Sequence, residues 1–175
     1  MPYEPPKHCG QCGAPLAPVA DKPGQRLCSN ADCGRITYLS PIPVVAAIVE
    51  RDGHVILVRS HGWPATWYGL VTGFLEPTES PEEAARREVG EELGLEVTSS
   101  RLIGAYPFAQ MNQVIIAYHL TAQGEIVLDA SELEGFKAVP LDRLQPWPFG
   151  TGAAVKDFLA LRRAEQPAAS GASRD

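Results

Sequence analysis

The chain has 175 residues, 45% of them hydrophobic and 21% charged, with a formal net charge of −6. That supports one globular domain with a core plus a small appendage, while the acidic balance argues against broad nucleic-acid binding. No apolar run approaches the roughly 18 residues of a membrane span, and the opening MPYEPPKHCG lacks the basic and apolar regions of a secretory signal, so a cytoplasmic protein is expected.

In chain order, residues 1–8 are proline-rich and are expected to form a disordered arm. All four cysteines come before residue 34, as Cys9-x2-Cys12 and Cys28-x4-Cys33, which is the wrong distribution for a disulfide-stapled secreted fold. Gly10, Gly13 and Gly34 directly follow three of them and suit tight knuckles. Four thiolates around a structural Zn²⁺ is the physical reading, with His8 as a spare ligand that a complete four-cysteine set leaves unneeded. Residues 9–37 are too short to fold on a core and are expected to depend on that metal, so 1–37 is the first domain, a zinc ribbon with its arm.

YLSPIP (38–43) is a linker. VVAAIVE and HVILVRS then flank Arg51-Asp52-Gly53, a hairpin signal between two apolar strands. HGWPATWYGLVTGFLEPTE is read as loop, with Trp63, Trp67 and Tyr68 either stacking on a ligand or packing locally. SPEEAARREVGEEL is the clearest helix: Ser80 is its N-cap, Pro81 its first residue, and Glu83 completes a capping box. Ala85, Val89 and Leu93 form its core stripe, and Gly94 is expected to close it. Strands are predicted over 101–108, 113–121 and 136–139, with strand or loop near 125–128. TGAAVKDFLALRRA is a second helix, and 166–175 reads as a disordered tail. Strands before, between and after two helices indicate an α+β fold, a mixed sheet sandwiched by helices over residues 38–165. His54, His61 and His119 are isolated and are assigned surface or core roles.

One feature of the first helix works against its own stability. Glu88, Glu91 and Glu92 share an arc of about 100° near its C-terminal end, where like charges and the negative end of the helix dipole are both unfavourable. A compensating cation, most simply a divalent metal, is therefore expected.

Residues 73–95, GFLEPTESPEEAARREVGEELGL, resemble the Nudix box of the Nudix hydrolases at Gly73, Glu79, Arg87, Glu88, Val89, Glu91, Glu92, Gly94 and Leu95. The resemblance implies a Nudix α/β/α sandwich and metal-dependent hydrolysis of a nucleoside diphosphate linked to another group. It implies that Glu88 and Glu92 bind Mg²⁺ or Mn²⁺, that Glu91 is a further ligand or base, and that the Thr72 carbonyl joins them. Glu79 and Arg87 would form a supporting ion pair. The ribbon and the Tyr-x-x-Pro-like linker are similar to the NADH pyrophosphatase subgroup and its relatives acting on FAD or ADP-ribose. By that likeness Tyr38 contacts substrate, and Glu132, with Glu134 as competitor, supplies another metal-binding carboxylate. A diluted form of the subgroup's Gln-Pro-Trp-Pro-Phe array stands at 105–112, which marks Tyr106, Phe108 and Gln110 for substrate binding, and Ala153 is a further contact. LQPWPFG at 144–150 matches the array better in letters, but it lies fifty residues beyond Leu95 and is read as punctuation before the last helix. The expected partner is a small dinucleotide, nucleic acid only as a nucleotide-capped RNA end, and a homodimer as in ribbon-bearing relatives. The rival reading is a catalytically silent Nudix fold that binds protein or nucleic acid through its ribbon; intact box carboxylates favour the enzyme.

Overall fold

The computed structural model describes residues 3–165, so the expected tail at 166–175 lies outside the described residues. The chain divides into two compact units, Met1–Ile42 with Phe108–Gln113, and Pro43–Pro107 with Val114–Asp175.

The first unit holds a three-stranded antiparallel sheet of β1 (Leu16–Val19), β2 (Lys22–Cys28) and β3 (Ile36–Tyr38) in that order. Two tight turns carry the cysteines. Gly13, at φ +74°, donates its N–H to the Cys9 carbonyl, and Gly34, at φ +55°, donates to the Asn30 carbonyl. These left-handed conformations suit glycine, so the residue after Cys12 and the residue after Cys33 are the ones that let each knuckle close. The expected disordered arm is hydrogen-bonded where it is described: the Lys7 carbonyl accepts from Leu16 N–H, and Tyr3 N–H donates to the Gln110 carbonyl.

The second unit is built on a six-stranded mixed sheet. Its elements are β4 (Ile42–Arg51), β5 (His54–Ser60), β6 (Val71–Phe74), helix α1 (Pro81–Leu93), β7 (Glu96–Phe108), β8 (Gln113–Gln123), β9 (Leu133–Pro140) and helix α2 (Gly152–Glu165). The strand order is β7-β8-β4-β5-β9, with β6 paired to the first half of β4. Both faces of β4 are buried, as its unbroken apolar run requires. Val45, Ala47 and Val49 pack with Ile56, Val58 and Leu120 against Ala85, Val89 and Leu93 of α1. Val44, Ala46 and Ile48 are buried on the opposite face. There α2 is held by stacking of His119 on Phe158, with centroids 4.7 Å apart, and by Arg162 donating to Glu50 at 2.9 Å. A helix on each face completes the α/β/α sandwich.

The hairpin turns through Asp52 and Gly53, both at positive φ. The capping box of α1 forms in both directions between Ser80 and Glu83, and Gly94 ends the helix at φ +67°. Strand β6 departs from the sequence reading, which had Val71–Phe74 as loop. Four residues including a glycine carry little strand preference, and β6 is extended because Val44–Ala47 offer it a ladder, Val45 opposite Gly73. Residues 125–128 form no strand. Instead Val127 N–H and Asp129 N–H donate to the carbonyls of Leu93 and Glu92, closing the end of α1 with backbone donors.

Candidate functional site

The box carboxylates lie where α1 meets β6. Gly73 is indispensable to that meeting: a Cβ there would stand 1.9 Å from Glu88 Oε1, so the Glu88 side chain passes directly over the strand backbone. Arg87 gathers the acidic residues around it. Its Nε and Nη2 bond the two oxygens of Glu79 at 3.1 and 2.8 Å, its Nη1 reaches Glu88 Oε1 at 2.8 Å and Glu91 Oε2 at 2.9 Å, and Nη2 also donates to the Phe74 carbonyl at 3.1 Å. One planar guanidinium therefore fixes the loop before the helix, the end of β6 and two box carboxylates. Arg87 holds Glu79 below the usual carboxylate range.

Glu92 has no such partner. It is 6% exposed, and its Oε2 is buried without a hydrogen bond. Burial, then the charges of Glu88, Glu132, Asp129 and Glu91, push it up to about 8. Burial also raises Glu88, against the pull of Arg87. A buried carboxylate facing other carboxylates is costly unless a cation compensates it. Glu88 and Glu92, in the field of Glu132 and Glu91, offer hard oxygen atoms of the type that suits a divalent cation.

Glu132 and Glu134 stand in different surroundings. Glu134 is ion-paired to Arg59, lies 3.3 Å from His61 Nδ1, and accepts from Gly62 N–H at 3.4 Å. Glu132 is exposed, makes its field felt at both Glu88 and Glu92, and has its carbonyl held by His61 N–H at 3.1 Å. His61 also pins the turn through the Ala130 carbonyl at 3.0 Å. Sequence reasoning missed this role for His61, and it missed Asp129, whose carboxylate bonds Ser131 while contributing to the field on Glu92. Neither carries a motif; both act through a turn whose place beside α1 is tertiary. Phe74 was also passed over. It is 58% exposed at the end of β6, and its backbone carbonyl accepts from the carboxylate-gathering Arg87. Thr72, exposed on β6, pairs with Ala46.

The substrate candidates fall in different places. Tyr106 donates its hydroxyl to Asp157 of α2 at 2.8 Å, and Ala153 lies on the exposed side of the same helix. Tyr38, Phe108 and Gln110 belong to the unit that holds the ribbon, with Tyr38 exposed at the end of β3.

In the ribbon, the sulfurs of Cys9, Cys12, Cys28 and Cys33 lie within 4.8 Å of one another, with Cys12–Cys28 at 3.4 Å and Cys9–Cys33 at 3.9 Å. A tetrahedral ion with metal–sulfur bonds of about 2.3 Å sets sulfurs about 3.8 Å apart. All four thiols are free of disulfides. Backbone N–H groups of Gln11 and Cys12 lower Cys9 to about 7, which favours a thiolate, whereas burial raises Cys28 to about 12. His8 instead bridges Pro15 in the backbone and is outside the cluster.

Comparison with known proteins agrees with this geometry. The NUDIX domain family matches residues 40–160. The NAD-capped RNA hydrolase NudC of Pseudomonas fluorescens is 30% identical over 160 residues, covering 90% of this chain and 57% of the relative. That of Edwardsiella ictaluri is 31% identical over 163 residues, covering 91% and 62%. This chain thus spans about three-fifths of the length of the curated relatives it matches. Among solved structures, a NUDIX hydrolase from Nitrosomonas europaea superposes with a TM-score of 0.68 at 25% identity, covering 93% of this chain and 95% of that one. An ADP-ribose pyrophosphatase from Streptococcus suis shares the fold, with a TM-score of 0.59 at 20% identity over 73% and 96% of the two chains. With the box on α1, its glycine beneath Glu88 and the family match over most of its length, the chain belongs to the NUDIX domain family.

Proposed function

We propose that this chain hydrolyses the pyrophosphate bond of a dinucleotide such as NADH, FAD or ADP-ribose, releasing AMP, with a nucleotide-capped RNA end as an alternative substrate. The observation that carries the reading is Glu92, buried with an unpartnered oxygen among other carboxylates. A structural role does not explain that expense; a bound divalent cation does. Glu88, Glu91, Glu92, Glu132 and the Thr72 carbonyl would hold Mg²⁺ or Mn²⁺. When bound, such a metal neutralises diphosphate charge and lowers the pKa of water. Glu79 and Arg87 keep the loop and Glu88 in register, and Glu91 is a further ligand or the base.

Water attacks one phosphorus, the bridging P–O bond breaks, and two monophosphates leave. Tyr38, Tyr106, Phe108, Gln110 and Ala153 are assigned to the substrate. Cys9, Cys12, Cys28 and Cys33 hold a structural Zn²⁺, supported by sulfur spacings near the tetrahedral value. Among the described residues no helix is long and apolar enough to cross a membrane; a cytoplasmic enzyme working as a homodimer fits the resemblance.

The test is AMP release from NADH, FAD and ADP-ribose with Mg²⁺ or Mn²⁺, compared with the same reactions after chelation. Metal-dependent AMP supports the reading. No turnover of any dinucleotide with either metal would favour the silent binding module.

A further inference from the structure

The turn that carries Glu132 is anchored from two sides. On one side, Asp129 N–H donates to the Glu92 carbonyl at 3.0 Å and Glu132 N–H to the Asp129 carbonyl at 3.2 Å, which ties the turn to the end of α1. On the other, His61 N–H donates to the Glu132 carbonyl at 3.1 Å, which ties it to the end of β5. Backbone bonds thus lead from the helix of the box carboxylates through Glu132 to β5. Leu133, next to Glu132, is buried in the core with α1.

The anchor on β5 is built around a bulge. Arg59 pairs with Gly135 but Ser60 with Leu133, so Glu134 is the extra residue on β9. Such a bulge interrupts the ladder and re-aims a side chain. Here it brings Glu134 to three partners: Arg59 is ion-paired to Oε2, while Gly62 N–H at 3.4 Å and His61 Nδ1 at 3.3 Å face Oε1. The other nitrogen of the same ring, Nε2, donates to the Ala130 carbonyl at 3.0 Å. One imidazole therefore spans the bulge carboxylate and the turn that leads into Glu132.

We infer that Arg59, Glu134 and His61 form a clasp that positions Glu132 for the divalent cation, with Glu134 acting as a positioning residue and not as a ligand. The inference rests on the hydrolase reading, in which Glu132 is a metal ligand. Solvent-accessible ion pairs contribute little to stability, so breaking the clasp should show in metal binding rather than in melting.

The experiment titrates Mn²⁺ into the full, zinc-loaded chain and follows the electron paramagnetic resonance signal of free Mn²⁺. It compares wild type with Glu134→Gln, His61→Ala and Glu132→Gln, and with each of the first two on the Glu132→Gln background. Melting temperature without Mn²⁺ is the fold control. Glu134→Gln and His61→Ala should each raise the Mn²⁺ dissociation constant about tenfold, as for loss of a group that orients a metal ligand. On the Glu132→Gln background each should add less than about twofold, because the clasp then has no ligand to position. The kcat of both single variants should return to near the wild-type value at saturating Mg²⁺. Wild-type Mn²⁺ affinity in either folded single variant overturns the inference. So does an undiminished effect of Glu134→Gln on the Glu132→Gln background, which would make Glu134 a ligand itself. If Glu134→Gln does not fold, His61→Ala decides by the same two comparisons. Wild type that binds Mn²⁺ but turns over no dinucleotide defeats the hydrolase reading alone, and the affinities still judge the clasp. Wild type that binds no Mn²⁺ overturns the clasp.

Discussion

The ribbon and the sheet domain are held by different physics. The buried hydrophobic side chains of the ribbon are two cysteines, Cys9 and Cys28, whereas both faces of the sheet around β4 are buried against helices by aliphatic residues. The ribbon is therefore organised by four sulfurs and a few backbone turns, and the sheet domain by apolar area. The difference extends to charge. In the sheet domain the core comes up to the edge of the carboxylates and leaves Glu92 buried with an unpartnered oxygen, so the same packing that stabilises the domain carries a local cost in charge.

The largest effect should come from breaking the ribbon. Cys9→Ser is expected to release zinc and unfold residues 9–37, because binding free energies of about 10–16 kcal/mol for such sites are themselves folding free energies. Metal analysis should find one zinc per wild-type chain and none in the variant, while hydrogen exchange leaves β4 and α1 protected. Loss of protection in β4 as well would show that the two regions do not fold independently.

Next in size is the reverse experiment. Glu92→Gln should lower turnover by at least about 100-fold while keeping zinc and fold. It should also raise the melting temperature of Mg²⁺-free protein at pH 8. The folded-state value of Glu92 lies above the unfolded one, so the carboxylate costs stability once pH exceeds the unfolded value, and the cost grows up to about pH 8. Wild-type turnover at saturating Mg²⁺ would remove Glu92 from the metal site.

A smaller change separates positioning from charge. Gly73→Ala retains every carboxylate but pushes the Glu88 side chain aside, since the clash is with its flexible end. Activity should fall about tenfold to a hundredfold, as for a misplacement of about 1 Å, and the apparent Mg²⁺ requirement should rise with little change in melting temperature. An unchanged Mg²⁺ requirement would mean that Glu88 does not need to lie over β6.

The smallest effect concerns the α2 face, far from metal in function. Burial holds His119 below the ordinary imidazole range, with the Glu50 carboxylate opposing and Arg162 and Arg101 reinforcing the shift. The unfolded chain then takes up this proton at a higher pH than the folded one. Stability from His119 is thus fully present above the unfolded value of about 6.5 and is lost progressively as pH falls from there through the lower folded-state value. Between pH 7 and pH 5.5 the melting temperature of wild type should drop more than that of His119→Gln, by on the order of 2 °C. Parallel curves would show that His119 titrates alike in both states.

Much of this molecule is written in short-range sequence. The Ser80–Glu83 box, the Asp52-Gly53 turn, the cysteine knuckles and the Nudix-box spacing each depend on residues a few positions apart, where backbone preference and side-chain reach settle the outcome. What the sequence could not determine depends on partners brought from elsewhere. Val71–Phe74 is a strand only because β4 pairs with it, and the last carbonyls of α1 are satisfied because the 125–129 segment brings Val127 and Asp129 N–H groups to Leu93 and Glu92. Glu134 meets Arg59 and His61 because β9 pairs with β5, and Pro107 shares a wall with Trp147 because α2 folds back beside β7. Local periodicity identifies elements and the residues capable of chemistry. Which of those residues face one another is decided by sheet register and helix docking, and those are properties of the whole chain.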